Sequence, residues 1–198
     1  MEDRQALLLD RPVWDEAEMR MLDAAVELIA VRGSGGVTVA EVARNAGVSR
    51  PTVYRRWASA DEIVRAALLR ATVSLIEQFP EPAQSRADIV RDVMRFSELF
   101  RTDPLYGRLL DREPEVFTRY TLQRIGQSQR VILQWLATAI ELAQRGGSVR
   151  AGTPSDLAVM LLLIAQSAIL SHNTVSALID EPHWSSELWH ALDGHLRP

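Results

Sequence analysis

An all-α fold is predicted by three features of this 198-residue chain. Apolar residues recur at three- and four-residue spacing along its whole length, capping signals open several of those segments, and strand-like alternation bounded by hairpin turns is missing. A hydrophobic share of 47% suits a folded chain with a sizeable core.

The first helix is expected over roughly Glu16 to Val31, with Asp15 as N-cap, Leu22, Ala25 and Ile29 on one stripe, and Gly33 at its end. Thr38 and Glu41 have capping-box spacing, in which each side chain satisfies the other residue's backbone N–H. The short helix they open carries Val39, Val42, Ala43 and Ala46, and Gly47 ends it. Ser49 caps a third helix, where Pro51 is tolerated because first-turn N–H groups lack helical partners. Ser59 and Glu62 repeat the box and start a fourth helix that runs to about Phe79. Further helices are expected over Ser85 to Arg101, Pro104 to Arg112, Pro114 to about Arg145, Ser155 to about His172 and His183 to about Leu196. The breakers "TDP", "REP", "RGGSVRAGTP" and "DEP" separate them. The proline-containing link "FPEPAQS" marks a boundary. It divides the chain into an arm (1–14, expected to be disordered), a three-helix module (15–58), a connecting helix (59–79) and a larger helical body (80–198).

Composition narrows the function classes. With no cysteine and no lysine, disulfides, thiolate metal sites and Schiff-base or P-loop lysine chemistry are excluded. The acidic start "MEDRQALLLDRPVW" fails as a signal peptide. The apolar run Leu157 to Leu170, interrupted by Gln166 and Ser167, reads as too short for a bilayer span. A cytoplasmic protein without membrane attachment is the expectation.

Helices joined by the tight "NAGVS" turn describe a helix-turn-helix. Gly47 supplies a backbone conformation that other residues adopt only at a cost, so the third helix can turn sharply on the second. Val48, Val53 and Trp57 can face Val39, Val42 and Ala43, leaving Arg50, Pro51, Tyr54 and Arg55 on the opposite face, free to enter a major groove. An arginine fork fits guanine O6 and N7, proline offers apolar contact to a thymine methyl, and Thr52 and Tyr54 can donate to phosphate. From Val42 to Trp57 the chain carries Arg44, Arg50, Arg55 and Arg56 and no carboxylate, against a formal net charge of -4 overall. Positive potential is thereby concentrated where a duplex would dock. The bland alternative is a solvated arginine face on an ordinary helical module.

These residues resemble a known family. "RMLDAAVELIAVRG", "VTVAEVARNAGVSRPTVYRRW" and "SADEIV" are similar to the N-terminal DNA-binding domain of the tetracycline-repressor (TetR) family of transcriptional regulators. The likeness covers about residues 20 to 70, and "AQRGGSVRAGTPSDLAVMLLLIAQSAI" is similar in style to a late turn and helix of family members. The resemblance implies a homodimer on a palindromic operator in double-stranded DNA, and a C-terminal helical domain for dimerisation and ligand binding. A small-molecule effector bound there would release DNA; no cofactor is implied. The DNA-contacting set on this reading is Thr38, Arg44, Ser49, Arg50, Pro51, Thr52, Tyr54, Arg55 and Arg56. Two departures stand out: Ser34 where an aromatic residue is common, and Ala60 where a lysine often meets phosphate. Arg56, where an imidazole or aromatic is frequent, is the candidate to replace that contact.

In the body, Phe96, Phe100, Phe117, Tyr120 and Trp135 lie on segments that the resemblance would arrange around a ligand cavity; aromatics at helical spacing are equally explained as core. The segment Ser155 to His172 is apolar almost all round. It is either half of an intersubunit bundle with the last helix, whose Trp184, Leu188, Leu192 and Leu196 recur every four residues, or the centre of the monomer's own core. Two other classes remain in view. One is a non-specific or architectural DNA-binding protein, which leaves the apolar body unexplained. The other is a helical enzyme, for which no motif set is present: His172, His183, His190 and His195 lack metal-ligand spacing, and the carboxylates of "LLDREPE" surround a helix-starting proline.

Overall fold

The computed structural model describes residues 12–121 and 125–198, and every regular element among them is helical. In chain order these are α1 (Glu16–Arg32), a 3-10 turn (Ser34–Gly36), α2 (Val39–Asn45), α3 (Arg50–Tyr54), α4 (Ala60–Ile76), α5 (Arg86–Thr102) and α6 (Pro104–Arg112). They continue with α7 (Pro114–Thr121), α8 (Gln127–Arg145), α9 (Pro154–Val175) and α10 (Glu181–Leu196). The chain clusters into two compact units: one gathers α1 to α3, most of α4, α6 and α7, the other α5, most of α8, α9 and α10.

In the first unit, Asp15 accepts the Glu18 N–H at 2.8 Å and Glu18 accepts the Asp15 N–H at 2.8 Å, so α1 opens with a complete capping box. The helix buries Met21, Leu22, Ala25, Leu28 and Ile29 and packs against both α2 and α6. Gly33 ends it at φ +84°, donating its N–H to the Ile29 carbonyl at 2.8 Å. A Cβ at Gly33 would lie 1.9 Å from Oε1 of Glu113, whose carboxylate occupies the space instead. That carboxylate accepts the Ser34 N–H at 3.1 and 3.2 Å and the Ser34 hydroxyl at 2.6 Å. Serine at this position thus has a specific partner between α6 and α7. On α4, the buried Thr72 and Tyr106 of α6 form a polar lock: the two hydroxyls hydrogen-bond each other at 2.6 Å and lie 2.9 and 2.8 Å from the Leu68 carbonyl, which accepts from the one whose proton is left free.

The second unit is centred on Ile76, Ile89, Val93, Leu136, Ile140 and Leu161, with Leu192 and Leu196 of α10 fully buried. Arg150 closes the turn between α8 and α9 onto the end of α10, its backbone N–H reaching the Leu196 carbonyl at 2.9 Å and its Nε the His195 carbonyl at 2.8 Å. Nearby, Arg86 Nε meets Asp193 at 2.6 Å, and the Arg86 N–H donates to Ser148 Oγ at 3.1 Å. Asp193 is held below the usual carboxylate range, first by its bond from Arg197 and then by Arg86.

Three boundaries differ from the sequence expectation. The single helix expected from Pro114 to Arg145 is interrupted: Ile125 and Gly126 are not helical, and the Gly126 N–H donates to the Gln129 side chain at 3.1 Å as α8 begins. Glycine's conformational cost in a helix interior favours the break there. The "TDP" segment opens α6 at Pro104 as expected, whereas at "DEP" α10 starts two residues before His183, at Glu181. Asp103 accepts the Leu105 and Tyr106 N–H groups, and Asp180 accepts that of His183, each with proline in the first turn. Finally, α9 is 22 residues long, well beyond the Leu157 to Leu170 run, and by length and composition it could cross a membrane. The expectation that it is too short is therefore corrected. Within the chain its Leu157, Ala158, Leu161, Leu162 and Ala165 are buried, while Val159, Met160 and Leu163 are exposed.

Burial, with a smaller push from Asp103, raises the Tyr106 hydroxyl above its ordinary range. A raised pKa means stability that is complete below about pH 10 and falls as pH rises toward the folded-state value. Tyr106→Phe should lose about 1–2 kcal/mol near pH 7. In denaturant titrations the native chain should then weaken more than Tyr106→Phe between about pH 9 and 11. Parallel declines would refute the assignment.

Candidate nucleic-acid interface

The interface is built on two short helices and the turn between them. Thr38 caps α2 by accepting the Glu41 N–H at 3.1 Å. Only that half of the expected capping box forms, because the Glu41 carboxylate turns to Arg44 and, at 3.5 Å, to Arg32 on α1. Gly47, at φ +67°, reverses the chain, and the Val48 N–H closes the turn on the Ala43 carbonyl at 2.9 Å. Ser49 then caps α3, accepting the Thr52 N–H at 3.3 Å while its Oγ lies 2.8 Å from the Thr52 hydroxyl. The helix lasts five residues. Beyond it the Arg55 N–H bonds the Pro51 carbonyl and the Trp57 N–H the Val53 carbonyl, each at 3.0 Å, which carries the helical path through Arg55 and Arg56.

Burial sorts the two faces of α3. Val53 is fully buried with Val42 and Ala43, whereas Val39, Val48 and Trp57, expected to face inward, are half-buried. Arg50, Pro51, Tyr54 and Arg55 are exposed together, and Thr38, Arg44 and Ser49 are exposed nearby in the chain, with Thr52 half-buried. Among the described residues Arg50 and Arg55 form no ion pair.

The other two arginines are engaged. Arg44 pairs with Glu41, and Arg56 places Nη2 2.5 Å from Asp15 and Nη1 3.2 Å from Glu18. The carboxylates responsible lie outside the acid-free stretch from Val42 to Trp57, at positions 15, 18 and 41, so a local charge count misses them. Asp15 is held below its ordinary range by the Glu18 backbone N–H and then by Arg56. At the start of α4, Ser59 accepts the Glu62 N–H at 3.2 Å, and Glu62 returns to the Ala58 N–H at 2.8 Å rather than to that of Ser59. Ala60, where a lysine is common in the family resembled, is therefore followed by the two acids Asp61 and Glu62.

Of the proposed ligand-contacting aromatics, Phe96 and Phe100 are buried in the second unit and Trp135 is half-buried there. With Phe79 they form one cluster, the ring centroids of Phe79 and Trp135 being 5.2 Å apart, those of Phe96 and Trp135 5.5 Å, and those of Phe96 and Phe100 6.0 Å. Arg95 lies over the Phe79 ring at 5.2 Å. The side chains of Phe117 and Tyr120 fall outside the described residues. Each histidine has an intrachain partner: His172 Nε2 meets Glu181 at 2.6 Å, His183 meets Asp180 at 2.7 Å, and His190 and His195 meet the carbonyls of Ser186 and Leu157.

Residues 21–67 match the model of bacterial regulatory proteins of the tetR family. A helix-turn-helix transcriptional regulator of Mycobacterium tuberculosis is 38% identical over 177 residues, covering 89% of this chain and 93% of the relative. The transcriptional regulator AqdR of Rhodococcus erythropolis is 32% identical over 155 residues, covering 72% and 69%. Among solved structures, a regulator of Saccharomonospora viridis in complex with choline shares 22% identity at a TM-score of 0.59, over 92% of this chain and 98% of the other. RolR in complex with resorcinol shares 13% at a TM-score of 0.64, over 92% and 88%. These two agree in fold. The all-helical architecture, the helix-turn-helix of α2 and α3 and the near full-length relatives make this chain a member of the tetR family, a DNA-binding transcriptional regulator.

Proposed function

We propose that the protein is a ligand-responsive repressor that binds a palindromic operator as a homodimer in the cytoplasm and is released by a small-molecule effector. The observation that carries the DNA reading is the exposed face of α3 and its exit, where Arg50 and Arg55 form no ion pair among the described residues and stand beside Pro51 and Tyr54. Arg50 lies in the first turn, the end of a recognition helix that usually meets base edges, and takes direct readout. Arg55, Tyr54, Thr52, Ser49, Thr38 and Arg44 take phosphate and sugar, fixing orientation. Selection of bound sequences from random duplex DNA tests the reading: a palindrome supports a dimeric regulator, and uniform recovery supports a non-specific or architectural protein.

Dimerisation is assigned to the outward face of α9 with α10. Val159, Met160 and Leu163 on α9 and Trp189 on α10 are 36–48% exposed in the single chain, an apolar surface that a second copy would cover. Leu162 lies in the chain's own core, so Leu163 is the residue to change. The effector is assigned to the second unit, against Phe96, Phe100 and Trp135. Support comes from the choline and resorcinol complexes of the structural neighbours and from the aromatic cluster itself.

Three outcomes are expected. Arg50→Ala should lose roughly 1–3 kcal/mol of discrimination at one base pair per half-site, whereas Arg55→Ala should weaken selected and scrambled duplexes alike and flatten the salt dependence by about one phosphate per subunit. Equal, sequence-independent losses for both would reduce the face to undirected electrostatics. Sedimentation at micromolar concentration should give twice the chain mass, and Leu163→Arg should give monomer or aggregate; a well-behaved monomeric native chain refutes the dimer. An effector that lowers operator affinity by some factor must have its own affinity lowered equally by operator DNA. Saturation by a confirmed ligand with unchanged operator affinity would rule that ligand out as effector.

A further inference from the structure

We propose that Arg56 is a positioning residue for the DNA-reading helix, tied to the start of α1, and not a phosphate contact; the inference rests on the DNA reading above. Four carboxylate oxygens, two of Asp15 and two of Glu18, meet at that helix start. Asp15 Oδ1 takes the Glu18 N–H and Glu18 Oε2 takes the Asp15 N–H, both at 2.8 Å, which completes the helix cap. The two remaining oxygens take the two ends of the Arg56 fork, Asp15 Oδ2 at 2.5 Å and Glu18 Oε1 at 3.2 Å. Asp15 is 48% exposed and Arg56 39%, while Glu18 is 18% exposed, so this is a surface pair backed by one partly covered carboxylate, with the fork held at both ends.

The position of Arg56 gives the contact its leverage. Its backbone N–H bonds the Val53 carbonyl at 3.0 Å, directly after α3 ends. A five-residue helix holds its orientation poorly on its own hydrogen bonds. Buried Val53 anchors one side of α3, and the Arg56 fork anchors its exit to a helix 41 residues earlier in the chain. Two carboxylates around one guanidinium neutralise its positive charge, and Asp15 also feels the charge of the neighbouring Arg55. The positive charge offered to a duplex then comes from Arg50 and Arg55.

Asparagine and glutamine separate the pair from the cap. Asn is as good an N-cap as Asp, and Gln serves in a capping box as Glu does, so Asp15→Asn with Glu18→Gln removes both charges while keeping the start of α1. Binding of the selected operator duplex and of a scrambled duplex is measured across a salt series for this double variant, for Arg56→Ala, and for all three changes together. On this assignment the ratio of operator to scrambled affinity falls roughly three- to tenfold in the double variant and in Arg56→Ala, and no further in the triple variant. The charge changes themselves move both duplexes together and leave that ratio alone. A phosphate contact predicts an unchanged ratio: freeing Arg56 tightens both duplexes equally, and Arg56→Ala weakens both and flattens the slope of log K against log salt by about 0.9 per subunit. That result overturns the proposal. If the native chain enriches no duplex, the DNA reading falls and takes this assignment with it; an enriched operator with an unchanged ratio in the variants removes only the role of Arg56.

Discussion

The reading head of this protein is too small to hold itself together. Helices of seven and five residues make one to two turns each, and the apolar side chains they bury completely amount to Val42, Ala43 and Val53. Helices this short are unstable alone, so their orientation depends on α1. Everything that fixes α1 therefore acts on the helix-turn-helix. At its start the capping box meets Arg56, along its side it packs on α2 and α6, and at its end Ser34 is held by the Glu113 carboxylate. Two independent features call for glycine at position 33: its positive φ, and the Glu113 carboxylate lying where a Cβ would stand.

This dependence also accounts for the composition of the first unit. Helices α6 and α7 follow the "FPEPAQS" link in the chain, yet they cluster with α1 to α4. Tyr106 on α6 reaches the Leu68 carbonyl on α4, and Glu113 reaches Ser34 beyond α1, so two sequence-distant anchors draw this segment to the reading head.

Local chemistry was legible in the sequence and distant pairing was not. Caps at Asp15, Thr38, Ser49 and Ser59, the turn at Gly47 and the inward Val53 follow from spacing within one or two helical turns, and the structure reproduces them. The resemblance carried by residues 20 to 70 led to the family for the same reason. What escaped the sequence involves partners far along the chain. The partners of Arg56 lie 41 and 38 positions earlier, and the Glu113 that holds Ser34 lies 79 positions later. The break near Gly126 is a different failure, since a lone glycine in an apolar periodic segment is compatible with one helix or two.

The brevity of α3 sets an information limit. One exposed face with Arg50, Pro51, Tyr54 and Arg55 can discriminate a few base pairs, on the order of 10² sequences, against on the order of 10⁶ competing sites in a bacterial genome. A single copy would spend nearly all its time at wrong addresses. Two copies at fixed spacing multiply their discriminations to roughly 10⁴, and the remaining factor must come from the spacing itself and from the deformability of the DNA between the half-sites. Sequences that no side chain touches would then carry part of the address.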